Sequence, residues 1–325
     1  MIENAVVIGF GSISKRHCSN LKLLYPDIKV YGMSSSGRLP IPLPDNTDEI
    51  LTSIEDIIAL NPNFVIVASP ASHHKEHATR IINSGIPVLL EKPLAANLAD
   101  AKSLVNCAKQ SRTAVAVGYC LRYLSSSIKM KQLIDEHVLG KIYNININIG
   151  QFLPDWRPDK DYKDSVSANK SLGGGVLREL SHDIDYAQWL FGPLNFEFSI
   201  LRTSQELELN VEDLADISLT TNSNAVCYIH MDFLQKYASR NCTIIGEKGR
   251  LDWDLIKNTI QFYGTANAEV LFDESDWDKN NMYLDMLIDF IKKIKLLDNR
   301  SIQVEEAYNV ISLIEDIEQN GKWIK

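Results

Sequence analysis

The stretch AVVIGFGSIS, residues 5–14, decides the fold. Residues 5–9 form a short apolar, β-branched run, and helical spacing follows from about Ile13 to Leu24. Between them Gly9, Gly11 and Ser14 stand at the positions of GxGxxG. The first glycine supplies a tight turn, and the second leaves bare backbone so that a pyrophosphate can approach the helix N-terminus. The third position asks only for a small residue where helix and strand pack, which Ser14 satisfies. Glycine turns also serve as plain connections. Here the turn follows a strand, precedes a helix and lies close to the N-terminus, and that context favours a dinucleotide site with Gly9, Gly11, Ser12 and Ile13 as candidate contacts.

Outward from this turn the strand and helix signals keep alternating. Residues 28–33, 64–68, 88–90 and 114–118 read as strands, and 54–60, 75–84 and 98–110 as helices. Near-continuous apolar strands in that order imply an α/β domain, a doubly wound parallel sheet covered on both faces. Beyond residue 121 the pattern changes. Strand signals at 141–152, 195–203, 215–221, 225–233, 241–246 and 259–262 are separated by turn signals, including Gly246 to Gly249, and one helix at 180–190 interrupts them. Two domains are expected, 1–121 and 122–325, with a C-terminal helix at about 303–319 packing back on the first. The chain has no internal repeat and no low-complexity segment.

Composition narrows the function classes. A chain of 325 residues, 45% hydrophobic, is long enough for two buried cores. Thirty-three Lys and Arg stand against 42 Asp and Glu, a net charge of −9 without basic clusters, which argues against a nucleic-acid partner. Apolar runs fall far short of the ~20 residues of a membrane span, and the N-terminus lacks the basic region of a signal peptide, so a cytoplasmic location is expected. The five cysteines, Cys18, Cys107, Cys120, Cys227 and Cys242, show no metal-ligand spacing and read as reduced packing residues.

Two further stretches bear on chemistry. The second strand runs into YGMSSSGR, residues 31–38, where an NAD-preferring site places an Asp or Glu on the ribose 2′-hydroxyl. No acid stands there. Ser34, Ser35 and Ser36 offer hydroxyls and Arg38 a guanidinium, a set suited to a 2′-phosphate, so NADP is the expected cofactor and NAD the alternative. The stretch VLLEKPLAA, residues 88–96, ends an apolar strand on Glu91 and Lys92 and then locks the chain with Pro93. Either this is a surface salt bridge at a helix start, or a lysine is held at the carboxyl edge of a parallel sheet, where doubly wound folds bind ligands.

GFGSIS, ASPASHH at 68–74, EKP at 91–93 and GGGVLRELSHDID at 173–185 occur in the order and approximate spacing of the Gfo/Idh/MocA oxidoreductases. GYCLRY around Arg122, LIDEHVLGKIYNINI, MYLDMLIDFIKKI and EEAYNVISLIEDI extend the likeness, so the chain resembles that family over nearly its whole length. The resemblance implies a Rossmann domain followed by an α+β domain with a large, mostly antiparallel open sheet that carries the substrate on one side. It adds Ser69, Pro70, His74 and Glu91 to the cofactor contacts. It puts Lys92 beside the nicotinamide and the reacting carbon, with Glu91 as an orienting partner, so that Lys92 binds or relays the proton of a substrate hydroxyl.

His182 is the second catalytic candidate, because an imidazole can take the hydroxyl proton as hydride leaves the same carbon. The family usually carries an Asp four residues before this histidine. That position is Arg178 here, while Glu179 stands three before, so either the turn is one residue shorter or Glu179 replaces the acid. Asp185, three residues on, shares the helical face of His182 and offers a second acid to orient the ring.

The polar loop LPDWRPDKDYKDSVSANKSLGGG, residues 153–175, is too long for an ordinary connection. Trp156, Arg157 and Tyr162, with Arg122, are the substrate candidates, since aromatic and bidentate groups suit a sugar ring or an acidic substituent. The competing reading is a loop packed at a subunit contact. His73, His77, His137 and His230 lack ligand spacing, and no metal is expected. The resemblance implies an NAD(P)-dependent dehydrogenase or reductase acting on a sugar, nucleotide-sugar or cyclitol carbinol, as a homodimer or homotetramer through the second sheet. The alternatives are a transient-oxidation epimerase or lyase and a non-catalytic dinucleotide-binding sensor.

Overall fold

The computed structural model describes residues 2–38, 42–156, 158 and 161–324. In chain order the first elements are β1 (Asn4–Ile8), α1 (Ser12–Leu24), β2 (Lys29–Met33), β3 (Glu49–Leu51), α2 (Ile54–Leu60), β4 (Val65–Val67), α3 (His74–Asn83), β5 (Val88–Glu91), α4 (Leu98–Ser111) and β6 (Val115–Gly118). They are followed by α5 (Ser125–Asp135), β7 (Ile142–Gly150), α6 (Val176–Glu179), α7 (His182–Phe191), β8 (Leu194–Arg202), β9 (Leu214–Thr221), β10 (Val226–Asp232), β11 (Ser239–Gly246), β12 (Gly249–Asp254), β13 (Thr259–Tyr263) and β14 (Ala268–Asp273). The last are α8 (Asn281–Ile294), α9 (Val304–Asn320) and β15 (Lys322–Ile324). The chain divides into two units. One takes the residues up to Tyr119 with Tyr283–Ile311, the other Cys120–Met282 with the residues from Ser312 on.

In the first unit a six-stranded sheet has the order β3-β2-β1-β4-β5-β6, with every pairing parallel. Strands β4, β5 and β6 are buried along their whole length, as sheets covered on both faces require. The strand order reverses between β1 and β4, which opens a crevice at their carboxyl ends. Helix ends follow local chemistry: Ser53 and Asp56 form a capping box on α2, and the Asn97 side chain accepts the Asp100 N–H of α4. Residues of the C-terminal part complete this core. Phe290 meets Phe64 edge-on with ring centroids 5.8 Å apart, and the Ile302 carbonyl accepts the Val117 N–H at 3.1 Å.

The second unit is built on a nine-stranded sheet of order β14-β13-β12-β11-β7-β10-β9-β8-β15. Pairings are antiparallel except β7 with β10 and β8 with β15. Alternation sorts the faces. Ile145, Ile147 and Ile149 of β7 and Cys227, Ile229 and Met231 of β10 are buried, while Tyr228 between them is half exposed. Tyr186 of α7 meets Trp253 of β12 on the buried side at 5.2 Å. The glycine turn expected at 246–249 is the hairpin between β11 and β12. Four elements lie outside the expected strands, namely β3, β12, β14 and β15, and the expected helix at 180–190 begins at His182 with the short α6 before it. All five cysteines are unpaired in disulfide terms and buried.

Candidate functional site

In the first unit the carboxyl ends of β1 and β4 hold the glycine turn. Gly9 has φ +114°, and a Cβ there would lie 2.6 Å from the Ala68 carbonyl oxygen and 2.9 Å from Ser14 Oγ, so only glycine fits. Ser14 is buried with its hydroxyl 3.4 Å from Ala68 O, which is the close packing a small third residue allows. Gly11 is the opposite case. It is the N-cap of α1, it is exposed, and a Cβ added there would meet no protein atom within 4 Å. With no capping side chain and no acid in the first turn, the start of α1 at Ser12 and Ile13 fits an anionic pyrophosphate.

After β2, beside β1 in the sheet, the Ser36 N–H donates to Ser34 Oγ at 3.2 Å. Ser34 and Ser35 are half-buried and Arg38 is exposed. At the end of β4, Ser69 is buried and its hydroxyl pairs with His77 Nδ1 at 2.9 Å. His74 is also buried. Its Nε2 lies 2.9 Å from Ser69 O and its Nδ1 3.2 Å from Leu94 O, so the ring ties the segment after β4 to the one after β5. Burial lowers the His74 pKa against the pull of those carbonyls. Pro70 caps the single turn Ala71–His73.

Glu91 closes β5 and is only 7% exposed. Its Oε1 lies 2.6 Å from Nε2 of His17, a fully buried residue of α1, and its Oε2 accepts the Lys92 N–H at 3.2 Å. Lys92 is half-buried, and its peptide bond to Pro93 is cis. The Glu91 carboxylate thus belongs to His17 and the Lys92 backbone, an arrangement unlike a surface salt bridge. His17 was absent from the sequence expectations. The available signal was its spacing with Ser14, Cys18 and Leu21, which marks the buried face of α1.

In the second unit His182, half-buried, opens α7. Asp183 and Asp185, in the same turn, are fully buried and each meets an arginine. Arg122 donates Nε to Asp185 Oδ2 at 2.9 Å and Nη2 to Oδ1 at 2.7 Å, with its guanidinium 5.6 Å from the Trp189 ring centroid. Arg240 Nη2 donates to Asp183 Oδ2 at 2.8 Å. Burial pushes the Asp183 carboxyl up, against the attraction of Arg240. Asp185, expected beside the His182 ring, and Arg122, expected on substrate, are therefore bound to each other. Helical spacing could place Asp185 on the histidine's face, but it could not reveal an arginine arriving from far along the chain.

Glu179 sits half-buried at the end of α6. Arg178, where the family pattern has its acid, forks onto Glu318, with Nη2 to Oε2 at 2.7 Å. The glycine triplet before α6 has a packing cause. A Cβ on Gly174 would strike the Val166 carbonyl, and one on Gly175, at φ +108°, would strike the Glu212 carboxyl. Glu212 is buried, accepts the Leu177 N–H at 3.1 Å, and has its pKa pushed up to about 7 by burial, with Glu318 adding to the rise. In the long loop, Trp156 and Tyr162 line one cavity of about 340 Å³ with Leu153, Asp161 and Ser167. The Tyr162 hydroxyl donates to Leu207 O at 3.2 Å, and Trp156 meets Phe233 edge-on at 5.4 Å. Arg157 lies outside the described residues. Among the described residues no group of three His, Cys, Asp or Glu could hold a metal ion, and no helix is long and apolar enough to cross a membrane.

Residues 4–119 match the family model described as an oxidoreductase family with an NAD-binding Rossmann fold, and residues 127–252 match the GFO/IDH/MocA C-terminal domain. The chain belongs to the Gfo/Idh/MocA oxidoreductase family. Its first unit is the family's NAD-binding Rossmann domain. Among Gfo/Idh/MocA proteins it is 26% identical to glucose-6-phosphate 3-dehydrogenase of Bacillus subtilis, over 66% of this chain and 57% of that one. It is 24% identical to myo-inositol 2-dehydrogenase of Thermotoga maritima, over 93% and 91% of the two chains. The chain spans 57% to 61% of the length of three curated relatives, the Bacillus protein among them. The fold is that of levoglucosan dehydrogenase in its complex with NADH, with a TM-score of 0.85, 18% identity, and coverage of 98% of this chain and 96% of that one.

Proposed function

We propose that this protein is an NAD(P)-dependent dehydrogenase or reductase that moves hydride between nicotinamide and a carbinol carbon of a sugar, nucleotide sugar or cyclitol. The observation that carries the reading is one sheet edge. The Gly9 turn, closed to any side chain, and the open Gly11 position start α1 at the carboxyl end of β1, and Lys92 follows the carboxyl end of β5 in the same parallel sheet. The substrate class is supported by relatives named for glucose 6-phosphate and myo-inositol.

A bound nicotinamide dinucleotide would accept or donate the hydride. The backbone at Gly9, Gly11, Ser12 and Ile13 holds its pyrophosphate, with Ser69, Pro70, His74 and Glu91 shaping the rest of that site. Lys92 holds the substrate oxygen through its ammonium, and His182 takes or returns the hydroxyl proton, with Glu179 the nearest acid in sequence before it. Trp156, Arg157 and Tyr162 contact the substrate. Ser34, Ser35 and Arg38 favour NADP, since no acid stands among residues 34–38 after β2. Phe198 and Tyr228, about half exposed on the outer face of the second sheet, support self-association there.

The test is thermal stabilisation of the purified protein by NADP or NAD with a panel of free sugars, sugar phosphates, nucleotide sugars and cyclitols, followed by nicotinamide absorbance for every stabilising pair. A steady absorbance change is expected. Product without such a change would point to transient oxidation, and cofactor binding with no product from any stabilising compound would sink the enzyme reading. Arg38→Ala should weaken NADP roughly tenfold or more and NAD far less; equal losses would remove Arg38 from the 2′-phosphate.

A further inference from the structure

The proton-handling role of Lys92 leaves open why β5 ends on a buried acid. Glu91 sits where an apolar residue would extend the strand, and a buried carboxylate is costly unless its oxygens are satisfied. Both oxygens are engaged: His17 Nε2 lies 2.6 Å from Oε1, and the Lys92 N–H reaches Oε2 at 3.2 Å. The neighbouring strand makes room. A Cβ at Gly118 would stand 3.2 Å from the Glu91 Cδ and from both carboxylate oxygens, so a side chain there would displace the group.

The other ring nitrogen decides the tautomer. His17 Nδ1 is buried and has no hydrogen-bond partner among the described residues. A proton on Nδ1 would be stranded there, whereas a proton on Nε2 has the carboxylate as acceptor. The ring therefore acts on Glu91 as a one-sided donor. It does so from α1, the helix whose first turn follows the Gly9–Gly11 turn.

We infer that His17 is the positioning residue of the Lys92 turn: with its ring proton on Nε2 it holds the Glu91 carboxylate, whose second oxygen takes the Lys92 amide and sets the chain at the end of β5. The functional weight of this device rests on the reading of Lys92 as the proton-handling group; its geometry does not. The histidine is not a catalytic residue, because it acts through Glu91 on the backbone that carries Lys92. The same contact ties the helix of the proposed pyrophosphate site to the strand end of the proposed reacting group, all within one unit.

Two measurements test the geometry without any substrate. In a long-range proton–nitrogen spectrum of histidine-labelled wild-type protein, His17 should show the Nε2–H tautomer; the Nδ1–H tautomer would overturn the inference. Amide exchange at Lys92, taken relative to Leu89 and Leu90 of β5, should rise about tenfold in His17→Leu and return to within about threefold of wild type in His17→Gln, whose side-chain N–H stands where Nε2 stood. Unchanged exchange at Lys92 in the leucine variant, or glutamine no better than leucine, would also overturn it. If the leucine variant does not fold, the glutamine variant and the wild-type tautomer decide. Lys92→Met separates this inference from the functional reading. It should keep wild-type exchange at position 92, and if it also keeps hydride transfer the catalytic reading falls while the positioning result stands.

Discussion

At the scale of single residues, one methyl group separates the two glycines of the first turn. Gly9→Ala forces a Cβ into the Ala68 carbonyl at a positive φ and should cost about 1–3 kcal/mol of stability in a denaturant titration. Gly11→Ala meets no protein atom. It should leave stability within about 0.5 kcal/mol and weaken dinucleotide binding roughly tenfold, because the new methyl enters the space assigned to the pyrophosphate. Equal cofactor affinity in wild type and Gly11→Ala would move the pyrophosphate elsewhere. For Lys92, replacement by methionine keeps the length and removes the proton, so turnover should fall by roughly 10²–10⁴ while cofactor affinity holds. A salt-bridging role alone would cost about 1 kcal/mol of stability or less and spare turnover. The glycine turn and the EKP placement were legible because each is a local motif with a local cause. The partner of Glu91 was not, since His17 lies 74 residues earlier and meets it only through the packing of α1 on the sheet.

At the scale of elements, α7 shows how a candidate catalytic side chain can be set by what lies next to it. His182 is followed at once by Asp183, and two residues later by Asp185, each fully buried against an arginine from a different element. Buried pairs of this kind contribute little net stability against apolar replacements, but breaking one strands a charge. Arg240→Met should therefore cost about 3–5 kcal/mol in equilibrium unfolding, and Arg240→Met with Asp183→Leu should recover most of that loss. A double variant no more stable than the single would mean that the arginine matters for packing alone. The helix itself was legible from its spacing, and the strands with clean alternation, such as β9 and β10, were legible too. β12 was missed because its alternation rests on only two apolar residues, Leu251 and Trp253, and β15 because three residues at a sheet edge carry no period. The loop before α6 resolves into single helical turns, whose short-range bonds leave no pattern of their own.

At the scale of the whole molecule, both sheets follow from hydrophobic period, which is a property of many residues and survives local exceptions. The membership of residues 283–302 in the first unit does not, because an amphipathic helix does not name the surface it covers. Stability against pH is likewise a property of the whole chain, and groups shifted in opposite directions set its course. Glu212 is raised from its ordinary 4.5 to about 7 by burial, with Glu318 adding to the rise. Between those values the folded state holds a proton that the unfolded chain has released, so the Glu212 contribution is full below pH 4.5 and falls as pH rises through 7, by about 3 kcal/mol. His230, bonded to Asp232 at 2.9 Å and to Asp216 at 2.7 Å, is raised from 6.5 to about 9. Its contribution is complete below 6.5 and is lost as pH rises through 9. Asp100, held below the usual carboxylate range by its bond to Lys75, works the other way and is lost only in acid. His77, lowered from 6.5 to about 4 by burial, and buried His74, also lowered, oppose Glu212, because their unfolded forms take up a proton in acid that the folded forms refuse. The Glu212 and His230 contributions are therefore read as differences between variant and wild type in the unfolding midpoint, measured by calorimetry from pH 4 to pH 9.5. Glu212→Gln, which keeps an acceptor for the Leu177 N–H, should make the midpoint rise relative to wild type as pH goes from 4.5 to 7 and leave the course above 7, and His230→Gln should do the same between 6.5 and 9 and leave the acidic side. A Glu212→Gln variant whose midpoint follows the wild-type pH course between pH 5 and pH 7 would show that the buried carboxyl beside Gly175 does not contribute to this slope.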